Sequence, residues 1–104
     1  RQRLILVLGI MGDKDIRQMM ANLVPLADLL ILTKPKLERS ASLEVLKKEA
    51  VIFQKNMMEI PDVAKALEGA LAIAEEKDLI VVSGSLFTVG EARAHLIQKG
   101  LIES

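Results

Sequence analysis

The 104 residues contain no cysteine, tryptophan or tyrosine, and only two phenylalanines and one histidine, His95. Without thiols there is no disulfide scaffold, no cysteine nucleophile and no cysteine-ligated metal centre, and the composition is compatible with a reducing cytoplasm. A lone histidine likewise excludes a zinc site built from several of them. Charge of one sign is lacking too. Fourteen basic residues balance fourteen acidic ones, so neither nucleic acid nor an anionic membrane is an expected partner. The longest apolar stretch, Leu23 to Thr33, is broken by Pro25 and Asp28 and falls well short of the roughly 20 residues that a spanning helix needs. No signal-peptide pattern is present. The chain starts at Arg1 and enters apolar sequence at once, as a domain cut from a longer protein would. The expectation is a soluble, cytoplasmic domain.

With 51% hydrophobic and 27% charged residues, the chain suits one compact domain of ordinary size. Short apolar runs at Leu4–Leu8, Leu29–Thr33, Met57–Ile60 and Leu79–Ser83 have the length of strands buried on both faces. Between them lie helical patterns. Ile16, Met19, Met20 and Leu23 follow the i, i+3, i+4, i+7 rule behind Asp13 as N-cap, and Pro25 stops the pattern. A second stripe, Leu43, Leu46, Ala50 and Phe53, begins after Ser42. A third, Val63, Leu67, Leu71 and Ala74, follows the capping residue Asp62. A fourth starts near Ser85 or Leu86 and presents Val89, Ala92 and Leu96. Gly100 and the residues after it are expected to fray. Such alternation, with connections too short for anything but crossovers, predicts an α/β fold: a three-layer α/β/α Rossmann-like domain with a mostly parallel sheet.

In such sheets ligands bind beyond the carboxyl ends of the strands, where helix N-termini aim free N–H groups outward. Two loops there carry chemistry. Gly9-Ile10-Met11-Gly12-Asp13-Lys14-Asp15 puts two glycines and a cation at a strand-to-helix turn, and Ser83-Gly84-Ser85-Leu86-Phe87 puts two hydroxyls around a glycine at another. Both suit an anion. Neither is a phosphate fingerprint by itself, since the first lacks the third glycine of the dinucleotide motif. An equally simple reading gives the glycines to tight turns and Asp13 and Ser85 to helix capping. Lys14, placed in the first helical turn, sits at the wrong end of the helix dipole, which points toward a ligand. The bland readings hold elsewhere: His95 as a partly exposed surface residue, Met19, Met20, Met57 and Met58 as core filler, and Lys34-Pro35-Lys36 as a solvated loop without aromatics to stack on bases. Asp13, Asp15 and Asp28 form no recognisable metal motif.

Four blocks appear in a recognisable order over almost the whole chain: Leu-Gly-Ile-Met-Gly-Asp-Lys-Asp at 8–15, Leu-Thr-Lys-Pro at 32–35, Ile-Pro-Asp-Val-Ala-Lys-Ala-Leu at 60–67 and Ser-Gly-Ser-Leu-Phe-Thr-Val-Gly-Glu-Ala-Arg at 83–93. Together they resemble the C-terminal domain of bacterial folylpolyglutamate synthase, often bifunctional with dihydrofolate synthase, in the Mur ligase superfamily. The resemblance implies residues 1–104 as a glutamate-ligase domain of an ATP-dependent amide ligase, with Mg²⁺ helping to neutralise the phosphates and an upstream P-loop domain holding most of the nucleotide. It further implies L-glutamate and a folate as substrates. Position by position, Lys14 faces the carboxylate of the incoming amino acid, and Ser85 with the Leu86 N–H and Phe87 holds the same glutamate. Gly12, Asp13, Asp15 and Gly84 support them, the two aspartates by orienting Lys14. Phe87 stands where the family usually has tyrosine. No residue here takes a catalytic role, and no metal ligand is implied.

The P-loop domain and the Asp-Gly-Ala-His-Asn-Pro segment that normally opens this domain are not in these 104 residues, and His95 does not stand in for that histidine. The expectation is therefore a fragment inactive alone, lacking the family's first strand and helix, which exposes sheet edge or apolar helix face and dimerises or swaps to cover it. Three alternatives remain. One is a free-standing Rossmann-like module for a small anion or nucleotide. Another is the C-terminal domain of a cell-wall Mur ligase. A receiver-like interaction domain is disfavoured by Leu8, Thr33 and Ser83 at strand ends where it needs an aspartate.

Overall fold

The computed structural model of the chain describes residues 2–103; Arg1 and Ser104 lie outside the described residues. Four strands, β1 (Leu4–Leu8), β2 (Leu29–Leu32), β3 (Asn56–Glu59) and β4 (Leu79–Ser83), form one sheet in the order β3-β2-β1-β4 with every neighbouring pair parallel. Helices α1 (Ile16–Leu23), α2 (Leu43–Ala50), α3 (Val63–Ile73) and α4 (Leu86–Gln98) cover both faces. One face is built from Leu6, Leu8, Leu30 and Leu32 against Met20, Val24, Leu46 and Ala50. The other sets Ile5, Val7 and Ile31 against Ala66 and Ala70, with Val63, Leu67 and Ala92 joining α3 to α4 over Ile80 and Val82. This is the expected three-layer α/β/α, Rossmann-like arrangement. The central strands β1 and β2 are buried on both sides because their residues are apolar without alternation.

Several local expectations shift. The N-cap of α1 is Asp15, not Asp13: its carboxylate accepts from the Gln18 N–H at 3.1 Å, while the Gln18 side chain turns forward to Asn22. Lys14 therefore stands before the cap, outside the helix. Leu71 and Val89 are 43% and 41% exposed, although both were expected inside. The places beneath the helices go to Ala66 and Ala70 on α3 and to Thr88 on α4, small side chains that fit where a helix closely approaches the sheet. At the end of α2 a short 3₁₀ turn, Val51–Phe53, stops at Gln54 in the left-handed region (φ 54°). Beyond α4 the chain closes on itself: Gly100 (φ 75°) donates to the Ile97 carbonyl and Leu101 to that of Leu96, a Schellman-type cap in place of the expected fraying.

Candidate functional site at the carboxyl rim between β1 and β4

From β1 the chain steps outward to β2 and β3, then returns across the whole sheet to β4, on the far side of β1. Connectivity thus reverses between β1 and β4, and the crevice at their carboxyl ends is the switch point where ligands bind in open α/β sheets. The two loops singled out in the sequence leave the sheet at this one rim. They touch. Gly9 N–H donates to the Ser83 carbonyl at 3.2 Å, and the Thr88 hydroxyl donates to the Gly9 carbonyl at 2.8 Å. Gly84 has φ +111°, and a Cβ on it would overlap the Gly9 carbonyl oxygen, while a Cβ on Gly9 would meet Thr88 Oγ1 at 2.8 Å. Both glycines are required by close approach, and at Gly84 by backbone angle as well.

Ser85 caps α4, its hydroxyl accepting from the Thr88 N–H at 3.0 Å. Helix geometry leaves the N–H groups of Leu86 and Phe87 without intrahelical acceptors, and the positive end of the α4 dipole opens onto the rim. Leu86 is 88% exposed and Phe87 48%. Lys14 and Asp13 are exposed, and among the described residues neither Asp13 nor Asp15 forms an ion pair with the Lys14 ammonium; the Asp15 carboxylate is occupied with its cap. Gly12 serves a different neighbour. Its N–H donates to the Arg39 carbonyl at 2.6 Å, and a Cβ there would meet the same oxygen at 3.0 Å.

That bond reveals what sequence reading missed. Lys34-Pro35-Lys36, expected to be a solvated loop, opens a segment, 33–42, that is pinned along its length. Met11 pairs with Ser40 in an antiparallel bridge, the Ser40 hydroxyl donates to the Pro35 carbonyl at 2.9 Å, and the Lys36 N–H donates to Glu91 on α4 at 2.6 Å. The segment's residues Lys36, Leu37, Glu38 and Arg39 line, together with Phe87, a cleft of about 500 Å³. Charge was legible in this segment; its anchoring depends on partners distant in sequence. Thr88 was missed too, though a hydroxyl three residues after a capping serine is a readable hint.

His95 lies near the other end of α4, away from these loops. Its Nε2 is 2.9 Å from Glu68 Oε1, and Lys99 Nζ is 3.4 Å from the same oxygen. These hydrogen bonds hold the Glu68 carboxylate below its usual range, that from His95 most, then that from Lys99. Among the described residues no three histidine, cysteine, aspartate or glutamate side chains converge on a metal position. The donor set here does not fit a metal ion by itself.

Comparison with known proteins decides the family. The profile described as "Mur ligase, glutamate ligase domain" matches residues 1–86. The chain belongs to this family. A curated relative from Halobacterium salinarum, described as a probable bifunctional folylpolyglutamate synthase/dihydropteroate synthase, is 40% identical over a match of 95 residues that covers 88% of this chain and 11% of that protein. Among solved members, the folylpolyglutamate synthase of Thermotoga maritima is 30% identical at a TM-score of 0.79, over 98% of this chain and 23% of that one. The Mycobacterium tuberculosis folylpolyglutamate synthase complexed with ADP is 25% identical at 0.81, over 88% and 23%. The bifunctional folylpolyglutamate synthase/dihydrofolate synthase of Yersinia pestis, complexed with AMPPNP and a manganese ion, is 27% identical at 0.79, over 97% and 23%. The chain thus spans about a tenth of its curated relative and under a quarter of the solved synthases it matches.

Proposed function

We propose that this chain is the glutamate-ligase domain of an ATP-dependent ligase that adds L-glutamate to the γ-carboxylate of a folate. In this reading the folate carboxylate is phosphorylated by ATP. The amino group of glutamate then attacks the acyl phosphate, forming the amide and releasing phosphate beside ADP. Nucleotide and Mg²⁺ are held mainly by a P-loop domain of the same cytoplasmic protein, and closure of that domain on the rim described above completes the site. No step is assigned to a metal on this chain.

Within that scheme Lys14 neutralises a carboxylate of the incoming glutamate, and the N–H groups of Leu86 and Phe87 at the start of α4 receive it, a charge-assisted arrangement suited to an anion. Ser85 stands beside them, Gly84 lets the two loops approach while Gly12 docks the first of them on Arg39, and Phe87 packs against the substrate without the phenol hydrogen bond of a tyrosine. The observation that carries this reading is the junction of the two loops at one switch point through Gly9, Gly84 and Thr88. The kinship with folylpolyglutamate synthases favours folate over a cell-wall substrate.

The test is kinetic. In the intact ligase, Lys14→Ala raises the KM for glutamate by roughly tenfold or more and that for ATP by less than about twofold. Equal effects on both substrates refute the role. The 104-residue chain alone, given ATP, folate and glutamate, forms no ADP.

A further inference from the structure

Proton counting around Thr88 assigns a direction to Ser85. Thr88 is completely buried, and its hydroxyl oxygen has two neighbours at 2.8 Å, the Gly9 carbonyl oxygen and Ser85 Oγ. A carbonyl only accepts, and a threonine hydroxyl has one proton. If that proton pointed to Ser85, the Gly9 and Thr88 oxygens would face each other lone pair to lone pair at 2.8 Å with no water to relieve them. The proton therefore goes to Gly9. Thr88 Oγ1 must then accept from Ser85, whose only proton is thereby committed. Ser85 Oγ also accepts from the Thr88 N–H at 3.0 Å, which leaves it one lone pair and no donor.

Resting on the function proposed above, we infer that Thr88 is a positioning residue that makes Ser85 an acceptor, so that Ser85 takes an N–H of the incoming glutamate's amino group and not its carboxylate. The chemistry suits the reaction. A neutral amine must aim its own lone pair at the acyl phosphate, and an acceptor that holds one of its N–H bonds fixes that aim without protonating it. The carboxylates are left to Lys14 and the N–H groups of Leu86 and Phe87, which are donors only. Thr88 touches no substrate. It acts through Ser85 and through the strand-end carbonyl that locks the two loops together.

The experiment uses the intact ligase, with Ser85→Ala, Thr88→Val, Thr88→Ser and the Ser85→Ala/Thr88→Val pair, and glutarate, the amine-free analogue, as an inhibitor competing with glutamate. Ser85→Ala is expected to lower kcat/KM for glutamate about tenfold or more while leaving the glutarate Ki within about twofold. Thr88→Val lowers kcat/KM similarly, Thr88→Ser restores it to within about threefold, and the double variant is no worse than the poorer single one. Circular dichroism melts of each variant show that the protein is folded at the assay temperature. A glutarate Ki that rises in step with the glutamate KM in Ser85→Ala overturns the assignment, as do strictly multiplicative losses in the double variant. Failure of glutarate to inhibit the unmodified enzyme also overturns it, because the donor-only carboxylate site does not depend on the amine. If the unmodified ligase shows no glutamate-dependent ADP formation, the parent reading falls and takes this one with it.

Discussion

The two ends of α4 carry similar-looking polar clusters that do different work. At the start, Ser85, Thr88 and the Gly9 carbonyl are linked by bonds of 2.8–3.0 Å around a hydroxyl with no exposure. Near the end, His95, Lys99 and Glu68 approach within 2.9–3.4 Å, but the glutamate and lysine side chains are 50% and 57% exposed. In the first cluster Thr88 and the Gly9 carbonyl are buried and lack water as an alternative, so losing the Thr88 hydroxyl strands the carbonyl. In the second, the His95 side chain is 14% exposed, but water reaches Glu68 and Lys99 and takes a lost partner's place there, and such exposed charges contribute little. Hydrogen-bond length does not separate the two; burial and attachment to strand ends do.

The comparison can be broken or sharpened by mutation, beginning with the largest change. Gly84→Ala combines a disfavoured backbone angle with an overlap on the Gly9 carbonyl. It is expected to cost about 2 kcal/mol or more in urea unfolding; a loss of a few tenths would mean that the rim is soft and would undo the contrast. Thr88→Val leaves the buried Gly9 carbonyl without its donor and is expected to cost about 1–3 kcal/mol, with Thr88→Ser clearly milder. At the other end, His95→Ala should move the unfolding midpoint less than either. A shift as large as that of Thr88→Val would show that the exposed cluster also holds the fold.

The smallest effect is read from the pH dependence of stability. Glu68 titrates below its usual range in the folded chain, chiefly through the His95 hydrogen bond and then that of Lys99. Asp62 is lowered too, first by the Lys65 N–H that it caps and also by Lys36. A carboxylate with a depressed folded value stabilises fully above its unfolded value and loses that contribution as pH falls through the folded one. Stability should therefore be flat near neutrality and decline below the ordinary carboxylate range. Glu68→Gln should lower stability slightly at pH 7, where this contribution is fully present, and change little once pH has fallen below the folded value, so that the acid limb flattens. A change in acid larger than the one at neutral pH would contradict this assignment.

Much of this could be read in advance, for identifiable reasons. The strands β1 and β2 announce themselves because they are apolar without interruption, and Ser42, Asp62 and Ser85 each cap the helix expected of them. Where two caps compete within three residues, as at Asp13 and Asp15, the folded chain decides which carboxylate meets a free N–H, here Asp15 with that of Gln18. Exposure on the outer helices was misjudged at Leu71 and Val89 because a periodic pattern identifies a stripe but not how closely the helix approaches the sheet. The edge strand β4 shows the same limit: it reads Leu-Ile-Val-Val-Ser, yet Leu79 is 44% exposed. Of the site, Lys14 and Ser85 were legible as loop chemistry, whereas the anchored segment 33–42 and the role of Thr88 were not.

Local order along the chain, including the alternation of strand and helix, the capping residues and the two glycine-bearing loops, followed from the amino-acid sequence, since it depends on neighbours a few positions apart. Only the tertiary structure decided that Gly9 and Thr88, 79 positions apart, share a hydrogen bond, and that the long return crossover brings β4 beside β1. The direction of the Ser85 hydroxyl belongs to that second class. It is set by which buried oxygen can only accept, a property of packing that no spacing of residues encodes.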